Sequence, residues 1–219
     1  MSTRSATVAL LALGALTGCV SLKRTPEARF FALRPMAETP PAASAATAAG
    51  IAIVGVLPVS LPGSLARPQL VAWSGPGEVR IDEFLRWAEP LDSSVQRVLS
   101  ENLETLLPSY RVVRAPWPSS TSVRCRVRVE LARFGPQPGR EVALSGRFVL
   151  LEPHKERALV TQAVELQRDP GHADPGPAVE TMSALVADLA VQVADAITAL
   201  PADVLEKPLA GSAAPPSPD

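Results

Sequence analysis

The chain has 219 residues, a formal net charge of −1 and 47% hydrophobic residues. This length suits one domain of ordinary size with flanking segments, and the near-neutral charge argues against a nucleic-acid-binding protein, which normally carries a basic excess. Aromatic residues make up only 4% of the chain, so the core must be built mainly from Val, Leu, Ala and Ile.

Residues 1–18 predict a secretory signal peptide. Arg4 provides a basic start, and residues 8–16 form an apolar run that is too short to span a bilayer, which needs about 20 residues. The sequence Leu-Thr-Gly-Cys at residues 16–19 has the form of a bacterial lipobox. We therefore expect cleavage before Cys19, acylation of its thiol and stable attachment to a membrane through two or more acyl chains.

The residue after the cysteine refines the predicted location. Val20 stands where an aspartate would signal retention at the inner membrane, so the pattern favours the outer membrane. With Cys19 acylated, Cys125 is the one free thiol, which excludes an intramolecular disulfide and a metal site built on cysteines.

Residues 19–50 are expected to form a lipidated N-terminus, a first strand at 29–33 and a flexible Ala/Pro/Thr-rich connection. A single α/β domain is predicted over 51–203, and it begins with a continuous apolar strand at 51–57. The final segment, 204–219, is rich in Pro and Ala and is expected to be disordered.

The stretch 57–90 is predicted to hold a hairpin, 69–73 with 78–81, and otherwise little regular structure. It contains Trp73 and Trp87. Two interpretations of Trp87 stay open: it anchors a protein–protein contact, as tryptophans in long irregular segments often do, or it fills the core beside the next helix.

A helix is predicted over 91–107, with Ser93 as N-cap paired to Gln96 in a capping box and Pro108 as the stop. One stripe of this helix carries the residues expected to face the core: Val95, Val98, Leu99, Asn102, Leu103 and Leu106. A short strand at 110–113 follows.

Three strands between 122 and 167 are predicted to form an antiparallel meander. In the first of them, apolar side chains alternate with Arg124, Arg126 and Arg128. The arginine row either contacts anionic lipid or an acidic partner, or it is a solvated strand face paired with acidic neighbours such as Glu165.

After a Pro/Gly-rich break at 169–177, a second helix is predicted over 179–200. The element order predicts an α/β fold, a mixed sheet that contains the meander and has the two main helices packed on one face.

No motif for catalysis stands out in the sequence. His154 and His172 both lie in predicted turns without partners at metal-ligand spacing, and no phosphate-binding loop or nucleophile elbow is present. We therefore expect no enzyme activity, cofactor or metal.

Three blocks of sequence resemble the PqiC/YmbA family, the ABC-type transport auxiliary lipoproteins. They are Arg67-Pro68-Gln69-Leu70-Val71, the block at 84–92 that includes Trp87, Pro90 and Leu91, and Leu99-Ser100-Glu101-Asn102-Leu103. Residues 30–33 also resemble the aromatic opening of the family, with phenylalanines where tyrosines are common. The resemblance implies a fold akin to the TolB amino-terminal domain and no catalytic residues.

The same resemblance implies a lipid-anchored outer-membrane protein that faces the periplasm. It would dock the periplasm-spanning component of an MCE-type, Pqi-like or ABC-linked, intermembrane lipid transport system at the outer membrane. Its partners would be the MCE-domain protein and its inner-membrane transporter, with a homo-oligomeric ring as one option. We take Arg67, Pro68, Trp87, Pro90 and Leu91 as the predicted partner-binding or fold-defining residues. The alternative is a structural envelope tether or assembly lipoprotein with no direct role in transport.

Overall fold

The structure, a computed structural model, describes residues 26–36, 52–139 and 141–201. The predicted signal peptide, Cys19, nearly all of the 36–50 connection and the predicted tail lie outside the described residues. The elements in chain order are β1 (Arg29–Phe31), β2 (Ala52–Val56), β3 (Gln69–Gly75), β4 (Glu78–Trp87), α1 (Leu91–Leu106), β5 (Tyr110–Arg114), β6 (Val123–Pro136), β7 (Val142–Leu151), β8 (Ala158–Arg168) and α2 (Pro175–Thr198).

The larger sheet has five strands in the order β5-β2-β6-β7-β8. β2 runs parallel to both β5 and β6, while β6, β7 and β8 form the predicted antiparallel meander. Along β6, Cys125, Val127 and Val129 are almost wholly buried, and the arginines between them are half-buried. Strand alternation therefore sets one face toward the helices, as predicted.

Both helices pack on that face. The buried stripe of α1 includes Val95, Leu99 and Leu103, and that of α2 includes Leu185, Leu189 and Val193. α2 is long and apolar enough to pass for a membrane span by length and composition, but half of that stretch is buried inside the domain. Its apolar stripe is a core stripe, and the predicted α/β class with two helices on one face is confirmed.

The three-stranded sheet, of order β1-β4-β3, was not predicted as a separate sheet. β3 and β4 form the predicted hairpin, but β4 continues to Trp87 instead of ending near Ile81. β1 then adds to β4 in parallel, with Phe31 opposite Trp87. The expectation of little regular structure in 57–90 is therefore wrong for the second half of that stretch.

The start of α1 is as predicted, but its cap and the start of α2 are not. α1 begins at Leu91 after Pro90, with no side-chain cap, so the Ser93–Gln96 capping box is wrong. The Gln96 amide instead donates to the carbonyls of Val56 and Ala115, at the ends of β2 and β5. α2 begins at Pro175, inside the predicted break, because a first-turn proline lacks only an N–H that the helix would not use.

Candidate functional site

Two of the sequence blocks that were predicted as interaction elements meet at one junction. The Trp87 amide donates to the Pro68 carbonyl at 2.7 Å, and the Ala88 amide donates to the Phe31 carbonyl at 2.8 Å. The aromatic opening of the chain thus joins the same junction.

The junction separates the five predicted residues into two groups. Trp87 and Leu91 are buried in the core, at 6% and 3% exposure. Arg67, Pro68 and Pro90 are exposed. The burial of Trp87 favours the core interpretation for its indole, and the exposed residues are the ones that a partner can reach.

Arg97 on α1 ties the N-terminal segment to the helix. Its guanidinium donates to the Leu33 carbonyl at 3.1 Å, to Glu89 at 2.8 Å and to Glu101 at 3.2 Å. Burial of the Glu89 carboxyl opposes ionisation, but hydrogen bonds, chiefly from Arg97, outweigh it and hold the pKa of Glu89 below its usual value.

Asn102 completes this attachment. Its side-chain oxygen accepts from the Met36 amide at 2.8 Å, and the hydroxyl of Ser183 on α2 accepts from the Arg34 amide at 3.1 Å. The segment after β1 is therefore bound to both helices. Sequence reasoning missed this role, although an asparagine in the apolar stripe of α1 was the available signal.

Two arginines of the β6 row, Arg126 and Arg128, bind the β7–β8 turn. Arg126 donates to Glu156 at 3.1 Å and to the carbonyls of Glu152 and Lys155 at 3.0 and 2.6 Å, and Arg128 also pairs with Glu156. Hydrogen bonds from Arg128 and Arg126 lower the pKa of Glu156.

The acidic neighbour was predicted wrongly. Glu165 lies on β8 opposite Ser145 of β7, and β7 separates β8 from the arginines of β6. The turn that follows β7 can fold back beside β6, and this is why Glu156 takes the place predicted for Glu165.

A groove at the edge strand β5 was not predicted. This Trp117 groove, of about 860 Å³, is open and lined by residues that include Arg111, Arg114, Glu104, Pro116 and Trp117. The Trp117 ring lies directly over Gly55, where an added Cβ would come within 2.6 Å of it. The sequence Pro116-Trp117-Pro118 could have indicated this site, because prolines on both sides restrict the backbone around the aromatic residue.

Two further expectations concern single residues. Cys125 is fully buried, and burial raises the pKa of its thiol to about 12, in keeping with a small core hydrophobe. His154 and His172 are both exposed. Within 26–36, 52–139 and 141–201, no group of three or more His, Cys, Asp or Glu is placed to hold a metal ion.

Comparisons with known proteins bear on the whole domain. An uncharacterized protein of known crystal structure aligns with a TM-score of 0.65 at 19% identity, covering 78% of this chain and 99% of that one. Protein XCC0632 from Xanthomonas campestris, of the DUF330 family, aligns with a TM-score of 0.62 at 14% identity, over 76% of this chain and 93% of that one. These likenesses show a shared fold.

Among curated proteins, none matches the chain in sequence. A family model does match it: the ABC-type transport auxiliary lipoprotein component, over residues 31–194. The match spans both sheets and nearly all of both helices, which is most of the chain. The chain therefore belongs to the family of ABC-type transport auxiliary lipoprotein components.

Proposed function

We propose that this protein is a non-enzymatic lipoprotein of the outer membrane that faces the periplasm. It holds the end of an MCE-type, periplasm-spanning component of an intermembrane lipid transport system. Membership of the auxiliary lipoprotein family and the lipobox ending at Cys19 support this proposal. Acylated Cys19 is the anchor, and the globular domain is the docking body.

One structural observation carries the proposal: Arg29, near the start of the described chain, is attached to α2 on the side of β6, β7 and β8, whereas the Trp117 groove lies along β5. Arg29 pairs with Asp174 at the start of α2, at 3.1 Å, and α2 packs over β6, β7 and β8. The groove lies along β5, at the other edge of the five-stranded sheet. The Arg29–Asp174 pair therefore lies outside the groove, whose open lining a partner can reach.

The chemistry of the groove suits a protein segment better than a small molecule. It is wide and open, and its lining includes two arginines and an indole. Aromatic and arginine residues dominate binding energy at protein interfaces. Among the described residues, β5 pairs only with β2, so its other edge offers backbone donors and acceptors to an added strand. We place the contact with the MCE-type component here.

The partner claim is tested by co-purification from detergent extracts. The acylated wild-type chain should retain an MCE-domain protein, and Arg111→Glu in the groove should weaken this retention. Arg133→Glu, an exposed site on β6 outside the groove, is the matched control and should retain the partner. If no MCE-domain protein co-purifies with the wild-type chain, the partner claim fails.

The anchor is tested separately. Cys19→Ser should abolish labelling with palmitate and release the protein from membranes. Labelling that persists in this variant would contradict acylation at Cys19.

A structural tether without a transport role is the competing function. Deletion of the protein distinguishes the two, because loss of a transport subunit slows lipid exchange between the membranes. Deletion that weakens the envelope while lipid exchange continues unchanged would favour the tether.

A further inference from the structure

Phe30 is an exposed aromatic side chain on an edge strand. It is 65% exposed, while its neighbour Phe31 turns inward and packs against the core. Large apolar side chains scattered on a surface are common, so exposure alone indicates nothing. Phe30 differs from such side chains in two ways: basic residues surround it, and it lies close in sequence to the predicted membrane anchor.

The outer face of the three-stranded sheet combines aromatic and basic groups around Phe30. Phe30 lies opposite Arg86 of β4, so the two side chains share a face. Arg67 is exposed at the same end of the sheet, because the next residue, Pro68, accepts the hydrogen bond from the Trp87 amide. We call Phe30, Arg86 and Arg67 the Phe30 face.

This face lies close to the membrane anchor. Seven residue steps join Cys19 to Pro26, so the tether extends at most about 25 Å. The tether itself carries Lys23 and Arg24. β1 is the first element after it, and the pair between Arg29 and Asp174 holds β1 against the domain.

We propose that the Phe30 face rests on the phospholipid surface, with the Phe30 ring in the boundary between headgroups and acyl chains. Aromatic rings next to basic side chains suit this boundary, since the ring enters the apolar layer and the guanidinium groups contact phosphates. The inference rests on the proposed acylation of Cys19. It goes further by assigning an orientation to the anchored domain.

Spin labelling tests this orientation with the full acylated chain. Phe30→Cys carries the label in the proposed contact. Met36→Cys is the matched control, because Met36 is also exposed, at 47%, but lies at the far end of the same segment, where its amide bonds Asn102. Cys125 is buried and stays unlabelled.

Each labelled chain is bound to vesicles of phosphatidylethanolamine and phosphatidylglycerol. Access of the label to oxygen, which concentrates in the bilayer, is compared with access to a water-soluble nickel complex. The label at 30 should show several-fold higher oxygen access and several-fold lower nickel access than the label at 36.

The outcomes separate the two proposals. Chains that fail to float with the vesicles contradict the acyl anchor. Chains that float with equal nickel access at both positions overturn the membrane contact, and so does a label at 30 shielded from both reagents, which indicates burial against a second protein copy.

Discussion

The two sheets of this domain are stabilised by different means. In the five-stranded sheet, one face is covered by both helices, and side chains such as Phe148 and Leu150 are wholly buried. In the three-stranded sheet, β1 is only three residues long, and Phe30 on its outer face is largely exposed. The large sheet forms the core, and the small sheet joins the N-terminal segment to it.

The difference also concerns distance along the chain. β6, β7 and β8 pair with their sequence neighbours through short turns, whereas β1 pairs with β4 across more than fifty residues. Pairing of distant segments needs a crossover and the closure of a long loop. The small sheet therefore depends on contacts with the core, such as the burial of Trp87 and the hydrogen bond from Arg97 to Leu33.

The largest contrast is expected between the two phenylalanines. Phe148→Ala should reduce the free energy of unfolding by about 3–5 kcal/mol, because it removes a fully buried ring and leaves a cavity. Phe30→Ala should change it by less than about 0.5 kcal/mol. Urea denaturation of the Cys19→Ser chain measures both, and equal effects would contradict the division into core and peripheral sheet.

Trp87 tests whether the core supports the small sheet. Trp87→Ala should cost about 3 kcal/mol of unfolding free energy, since the indole is 6% exposed and packs in the core cluster. Arg67→Ala, at the exposed side of the same junction, is the control and should stay within about 0.5 kcal/mol. A Trp87→Ala chain as stable as wild type would indicate that the indole serves only a partner.

Gly55 tests the packing of Trp117 on the edge of the large sheet. Gly55→Ala should cost about 1–3 kcal/mol, because the new methyl group would press on the Trp117 ring. Gly63→Ala is the control, since no atom lies within 4 Å of its added Cβ. An unchanged midpoint of urea unfolding for Gly55→Ala would show that the ring moves away freely.

Arg97 should give the smallest effect and one that depends on pH. Arg97→Met should cost about 1 kcal/mol at pH 7. The hydrogen bonds to Glu89 and Leu33 are lost, but the Arg97–Glu89 pair is partly solvated, which limits its contribution. The folded-state pKa of Glu89 is lowered, so its contribution is present above the unfolded pKa of about 4.3 and is lost as pH falls through the folded value.

The difference in unfolding free energy between wild type and Arg97→Met should therefore become smaller below about pH 4. Arg168→Met removes the exposed pair with Asp188 and should cost less than Arg97→Met at pH 7. Urea denaturation at pH 7 and below about pH 4 measures these differences. A difference in unfolding free energy between wild type and Arg97→Met that does not change with pH would contradict the role of Glu89.

Elements with a strong local pattern were predicted well. The alternation in 122–133 and the apolar stripes of both helices located the meander and α1 to within three residues, because burial on one face leaves a periodic pattern in the sequence. The start of α2 was predicted four residues too late. Pro175 and Gly176 usually indicate a break in a helix, and the sequence alone does not show that they occupy its first turn.

The candidate site was predicted less completely. The blocks around Pro68 and Trp87 were predicted as interaction elements. The hydrogen bond between these two residues and their different exposure were not predicted. The Gln96 side chain donates hydrogen bonds to carbonyls at the ends of β2 and β5, and it does not cap its own helix. Glu156, and not Glu165, pairs with the arginines of β6. For Gln96 and for the β6 arginines, the sequence offers several possible hydrogen-bonding partners, and only the fold selects among them.

The lipidation signal, the α/β class, both helices and the meander are predicted from the amino-acid sequence alone, because each depends on a continuous pattern of residue types. Three features appear only in the fold of the described residues: the division into two sheets, the addition of β1 to β4, and the packing of Trp117 over Gly55 at an open groove. These features join segments far apart in the chain. Their partners are selected by shape and burial in the folded core, which periodicity does not encode.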